Sequence, residues 1–287
     1  MGPPENVKKC RNVQKRLSKL VDDSKLAKLR AFFSESDMVE DVMRLDELMS
    51  EHQEHSWLWA LNPAVEPVLP EAEWQCAVRL KLGCPQLSSE VLCASCGSRP
   101  LDQHGYHALC CAKGESTKGH NSVRDSLHAG LIAADPGAAA EVLGLIPSQP
   151  ELRPADILTT ATRTNGSIAV DVGICAPHAG GAGEDCVESM RQNKFRHYGT
   201  LLRELETQNI EYLPATMSCY GRRHPCVTKL LQLAAQAAAR RKGVGCHKLI
   251  YRRWCQVLAA KVWQRAAKMI LACMPREPDE TEFLLGG

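Results

Sequence analysis

Arg153 to Cys175 reads RPADILTTATRTNGSIAVDVGIC, and the rest of the chain is arranged around it. Two short apolar segments, one holding Asp156 and the other Asp171, flank the turn signal Arg163-Thr164-Asn165-Gly166, so a β-hairpin is expected. Neighbouring strands lie about 4.8 Å apart. A carboxylate near the end of one strand and another on its partner can therefore share a cation. Hard divalent ions such as Mg²⁺ take oxygen ligands of this kind.

After the Gly-rich connection Gly180 to Gly183, an amphipathic helix is expected with Val187, Met190, Lys194, Tyr198, Leu201 and Leu205 on its buried stripe. Lys194 thus falls on the face turned to the sheet. A buried ammonium is costly unless an anion receives it, and Asp156 and Asp171 are the natural candidates. The plainer alternative is a snorkelling side chain whose stem packs while its tip reaches water. Glu141, beside Val142 and Leu143, falls in the first strand or at the end of a helical run.

Upstream, Cys93 and Cys96 form a C-x-x-C pair, followed by His104, His107, Cys110 and Cys111. Two close pairs of N and S ligands suit a tetrahedral Zn²⁺, each pair chelating from one turn. Spacing alone leaves His104 against His107 and Cys110 against Cys111 open. Next, His120-Asn121 is expected to open a helix carrying Val123, Leu127, Leu131 and Ala134, with Asn121 or Ser122 as its cap.

Taken in order, CASCGSRPLDQHGYHALCCAKGE, HNSVRDSL, RPADIL, AVDVGI and KFRHY resemble the PD-(D/E)XK nucleases, specifically the restriction-like endonuclease domain of site-specific non-LTR retrotransposons with its preceding CCHC zinc knuckle. The likeness covers roughly residues 55 to 240 and is specific as a set. It implies an α/β fold, a restriction-endonuclease-like αβββαβ core with N-terminal helices, a zinc knuckle and C-terminal helices. It implies a zinc set of Cys93, Cys96, His107 and Cys111, since the pattern there is His-Ala-Leu-x-Cys. It also implies that Asp156, Asp171 and Glu141 hold catalytic Mg²⁺ or Mn²⁺, that Lys194 serves the reaction, and that His120, Asn121 and Arg124 contact DNA or support the active site. Many members of the wider family carry the lysine two residues after the second acid, where Gly173 stands here. The retrotransposon branch moves it to the following helix, which Lys194 fits. His197 occupies a place where a second basic residue is common, a departure from the pattern.

The implied activity is a metal-dependent DNA endonuclease that hydrolyses phosphodiester bonds. A catalytically inactive, retroelement-derived nucleic-acid-binding protein is the alternative, and a zinc-knuckle interaction scaffold is a third reading. Over 287 residues, 44% apolar content suffices for a core and the net charge of +2 is uninformative. Charge distribution is more telling. Arg222 to Lys268 holds twelve Lys or Arg and no acid, including Arg240, Arg241 and Lys242, whereas Glu35 to Glu54 holds eight acids and one Arg. Such a basic segment favours polyphosphate, DNA first and RNA as the alternative. A solvated helical face explains it equally well.

The fourteen cysteines, with no apolar signal segment in MGPPENVKK, are read as reduced thiols of a nuclear or cytoplasmic protein. No membrane partner is expected. The expected divisions are an N-terminal helical region at 1–54, a helical segment with the knuckle at 55–119, a nuclease core at 120–220, basic C-terminal helices at 221–275 and a disordered tail at 276–287.

Overall fold

The structure, a computed structural model, describes residues 5–60, 66–163, 165–243 and 245–275. Thr164 of the hairpin turn and the tail expected to be disordered at 276–287 lie outside the described residues. The chain divides into two compact units, Met1–Asp46 and Glu47–Gly287. Among the described residues no helix is long and apolar enough to cross a membrane.

In the first unit α1 spans Glu5–Glu35, and Asp37, at φ 53°, turns the chain into α2, Val39–Met49. Arg30 grips Asp46 through two contacts of 2.8 Å. Both side chains are exposed, so the pair adds little stability. Leu17, Leu20 and Phe32 of α1 are exposed.

The second unit begins with a 3-10 turn, Ser56–Trp59, and α3, Glu71–Leu82, which Gly83 ends in the left-handed conformation at φ 71°. A small antiparallel hairpin of β1, Val91–Leu92, and β2, Pro100–Leu101, precedes α4, Ala108–Cys111. Helix α5 spans Lys113–Ala134. His120 and Asn121 therefore lie inside a helix rather than at its start, and Asn121 is not a cap. Gly114 and Gly119 are the weak helix formers ahead of them, yet neither adopts positive φ, so the helix runs through. The division expected between residues 119 and 120 falls within this helix.

Strands β3, Ala139–Ala140, β4, Ile157–Thr159, and β5, Ser167–Cys175, follow in antiparallel succession. Helix α6, Cys186–Tyr198, starts at Asp185, whose carboxylate accepts from the amides of Val187 and Glu188. The long helical stripe expected through Leu205 is interrupted. Gly199, at φ 46°, stops α6, and after a 3-10 turn α7, Leu202–Thr207, carries Leu205 into the core. Strand β6, Ile210–Ser218, then pairs parallel to β5. Pro214 causes no break, because β6 is the edge of the four-stranded order β3-β4-β5-β6, where a missing ladder donor is tolerated. Helices α8, Pro225–Lys242, and α9, His247–Cys273, complete this mixed α/β unit.

One face of the sheet is sealed by Val123, Leu127 and Leu131 of α5, Leu230 of α8 and Leu258 and Val262 of α9, packed on Ile168, Val170 and Val172. The other face packs Ala169 and Tyr212 against Leu205 and the rings of Phe195 and Tyr198. A further core joins α3, the β1–β2 hairpin and the C-terminal half of α9, where Trp57 and Trp263 stack at 5.2 Å.

Candidate metal centre and carboxylate site

The β1–β2 hairpin folds back on itself: the amide of Cys93 donates to Arg99 O at 3.0 Å and that of Gly97 to Cys93 O at 2.8 Å. A second loop is organised by Asp102, whose carboxylate accepts from the amides of His104, Tyr106 and His107. These two turns bring Cys93, Cys96, His107 and Cys111 together, with all four ligand atoms within 4.8 Å of one another, in a cluster that could hold a metal ion. Cys93 Sγ lies 3.8 Å from Cys111 Sγ, and Cys96 Sγ lies 3.5 Å from His107 Nε2. Hydrogen bonds from the Ser98 side chain and amide, then from His107, lower the Cys96 thiol to about 5, whereas burial raises Cys111 to about 11. His104 and Cys110 stay outside the cluster. His104 stacks on Tyr106, and Cys110 is exposed.

The carboxylates are brought together by strand register. Ile157 pairs with Val170, and Asp156, the residue just before β4, donates its amide to Val170 O at 2.9 Å, which brings its carboxylate beside β5 close enough to Asp171 for the two charges to repel. Likewise, Ala140 pairs with Ile157, and the Glu141 amide donates to Asp156 O at 2.8 Å. Asp171 lies on the sheet face covered by α6, since Ala169, two residues back, belongs to the core beneath α6 and α7.

Every carboxylate is held by donors. Lys194 Nζ donates to Asp171 Oδ1 at 2.6 Å and Tyr212 Oη to Oδ2 at 2.5 Å. His120 Nε2 lies 3.3 Å from Asp156 Oδ1, and the Val172 amide donates to Asp156 Oδ2 at 2.7 Å. These surroundings move the two acids in opposite directions. Burial pushes Asp171 above the usual carboxylate range, and Lys194 and Tyr212 only partly restrain it. For Asp156, burial also acts upward, but His120, the Val172 amide and Lys194 outweigh it and hold the carboxyl low.

Glu141 departs from the other two acids. It has φ 54°, is half exposed, and is paired with Arg124 and, at 2.9 Å, with Arg153. Among the described residues no group of three acids comes close enough to hold an ion together; the Cys-His cluster alone does. Glu141, expected as the third metal ligand, adjoins Asp156 through the backbone, and its carboxylate is committed to the two arginines.

The residues expected at nucleic acid are dispersed. His120 faces Asp156 and Arg124 faces Glu141 and Asp125, both within the carboxylate network. Arg240, Arg241 and Lys242 are exposed in the last turn of α8. Much of the basic segment around them is engaged internally: Arg222 pairs with Glu47 and Asp185, and Arg265 is buried.

Tyr212, which donates to Asp171, was not legible as a site residue. Its signal is the alternation Ile210, Tyr212, Pro214 on one strand face, which sets a hydroxyl on the side of Asp171 once the β5–β6 register is known. Comparison of the chain with protein-family models, with curated proteins and with solved structures finds no match.

Proposed function

We propose that this chain is a metal-dependent endonuclease of the PD-(D/E)XK kind, acting on DNA. One observation carries the reading: Asp156, at the start of β4, and Asp171 of the neighbouring β5 lie close enough for their charges to interact, and Lys194, reaching in from α6, contacts Asp171 at 2.6 Å. The fold supports it coarsely: the unit is mixed α/β, with α5, three antiparallel strands, α6, the short α7 and then β6, where the resemblance implies one helix before the last strand.

Hard carboxylate oxygens fit Mg²⁺ or Mn²⁺. Asp156 and Asp171 would hold the ion, and each of their oxygens, accepting one hydrogen bond, keeps a lone pair for it. When bound, such an ion lowers the pKa of a water and offsets charge on the phosphate. The chain's own groups do the rest. His120 and the Val172 amide keep Asp156 ionised and oriented, Tyr212 orients Asp171, and Lys194 places a positive charge beside the acids where negative charge develops on phosphorus.

The Cys93, Cys96, His107 and Cys111 cluster fits Zn²⁺. A tetrahedral ion with bonds of about 2.3 Å to sulfur and about 2.0 Å to nitrogen requires edges near those of Cys93–Cys111 at 3.8 Å and Cys96–His107 at 3.5 Å. Four protein ligands leave no open position, so this ion is structural.

The alternative reading, a nucleic-acid-binding protein without catalysis, draws on Glu141, whose carboxylate is committed to Arg124 and Arg153 instead of the other acids. Nicking of supercoiled plasmid separates the two. The enzyme relaxes it in Mg²⁺ or Mn²⁺ and not in Ca²⁺; a wild-type protein that binds the plasmid and cleaves it with neither ion is the inert binder.

A further inference from the structure

A cleft of about 640 Å³ opens beside Asp171 and Lys194, lined also by Gly181, His197, Ser116 of α5 and Arg265 of α9. Arg265 is 6% exposed. Its Nη2 donates to Ser116 Oγ at 2.7 Å and its Nε to Ser116 O at 3.4 Å. Among the described residues it forms no ion pair, and burial depresses its basicity. A buried guanidinium without a counter-anion is costly, because the desolvation penalty goes uncompensated.

A second unfavourable feature lies directly beneath it. Gly119 sits inside α5, where glycine is a poorer helix former than alanine. A Cβ there would lie 2.3 Å from Arg265 Cγ and 2.7 Å from its Cβ, so only glycine lets the stem lie against the helix. The chain thus weakens one helix to seat a cation that no carboxylate neutralises, in the wall of the cleft that holds Asp171. Both features are accounted for if an anion from outside completes the pair. The guanidinium fork, next to a serine hydroxyl, suits a phosphate oxygen pair.

We infer that Arg265, with Ser116, receives a backbone phosphate of the nucleic-acid strand bound in this cleft. The anion site rests on Arg265 and Gly119; its identification with a polynucleotide phosphate rests on the reading of Asp171 and Lys194 given above.

The test measures binding of a short DNA duplex, with Ca²⁺ replacing Mg²⁺ so that nothing is cut, by wild type, Arg265→Met and Arg265→Lys across a range of salt. Arg265→Met is expected to melt no lower than wild type, since an uncompensated charge is removed. It should bind about tenfold more weakly or worse, with a log–log salt slope shallower by about one. Arg265→Lys should keep the wild-type slope at intermediate affinity. Wild-type affinity in both variants overturns the inference, and so does a methionine variant that melts well below wild type or fails to fold, which would make the guanidinium a structural element. A wild type stabilised by inorganic phosphate that binds no duplex overturns the assignment to a strand; one that responds to neither overturns the site. If wild type cleaves nothing in Mg²⁺ yet loses duplex binding on Arg265→Met, the endonuclease reading falls and the phosphate site stands.

Discussion

Lys194 lies across Gly173: a Cβ added to the glycine would sit 2.7 Å from Lys194 Cε and 2.7 Å from Met190 Sδ. The position two residues beyond Asp171 is therefore empty so that a side chain from α6 can pass over it and reach Asp171. Replacing Gly173 with alanine should displace the ammonium while leaving the strand paired. A shift of about 1 Å at a catalytic group costs about a hundredfold in rate, so metal-dependent nicking should fall by that order with the melting temperature little changed. Full activity in Gly173→Ala would show that the lysine's placement is unimportant.

Lys194 itself separates an enzyme from a snorkelling surface residue. Lys194→Met should preserve folding and plasmid binding yet lower cleavage about a hundredfold, the scale of one lost electrostatic group. Asp171→Asn should abolish cleavage through failure to hold the divalent ion. Equal cleavage by Lys194→Met and wild type would remove the lysine from the mechanism without touching the acids.

Elemental analysis of freshly purified protein should find close to one zinc per chain, lost in Cys93→Ser and Cys111→Ser and retained in Cys110→Ser. The neighbouring pair at 110 and 111 makes this a sharp discrimination, because only Cys111 Sγ joins the cluster. Zinc retained in Cys111→Ser but lost in Cys110→Ser would reverse the ligand assignment.

Arg240→Gln, Arg241→Gln and Lys242→Gln combined should weaken DNA binding to all sequences alike, since these exposed residues can meet phosphates but no defined base edge. The alternative is that they only complement the C-terminal end of the α8 dipole. In that case the triple variant binds normally and melts slightly lower.

Asp135 supplies a pH-dependent tie between α5 and β4. Burial would raise its carboxyl, but the Thr160 amide, the Thr159 and Thr160 hydroxyls and the Gly137 amide outweigh burial and lower it below 3.8. A group depressed in the folded state contributes stability that is present above its unfolded pKa and lost as pH falls through the folded value. Asp135→Asn should therefore melt lower than wild type at neutral pH, with the gap closing as pH drops below about 4. A gap that persists unchanged to pH 2 would mean the charge is not what matters.

The hairpin around Asp156 and Asp171 was legible because period-two apolar runs and an Asn-Gly turn are local signals. The C-x-x-C pair and His107 were legible for the same reason, being set by short spacings. What escaped depends on atoms distant in sequence. Asn121 reads as a cap when only its own propensity is weighed, yet α5 begins at Lys113, and the added N-terminal turns pack Gly119 against the Arg265 side chain, a partner distant in sequence. Glu141 reads as a strand acid, but it has a left-handed backbone and pairs with Arg124 and Arg153, the first distant in sequence. Tyr212 required the parallel register of β6 on β5, which nothing local to either strand specifies.

Helix α9 belongs to two cores: Leu258 and Val262 pack under the sheet, while Trp263, Ile270 and Cys273 pack against the knuckle, where the Ala94 amide donates to Cys273 O at 2.9 Å. A ligand that binds only the folded knuckle therefore stabilises the sheet as well, by about 2.7 kcal/mol when free zinc stands a hundredfold above its dissociation constant. If that ligand is zinc, the stability of the strand carrying Asp171 would depend on a metal that Asp171 does not bind. Scarcity of zinc would then soften the sheet with Asp156 and Asp171 themselves unchanged.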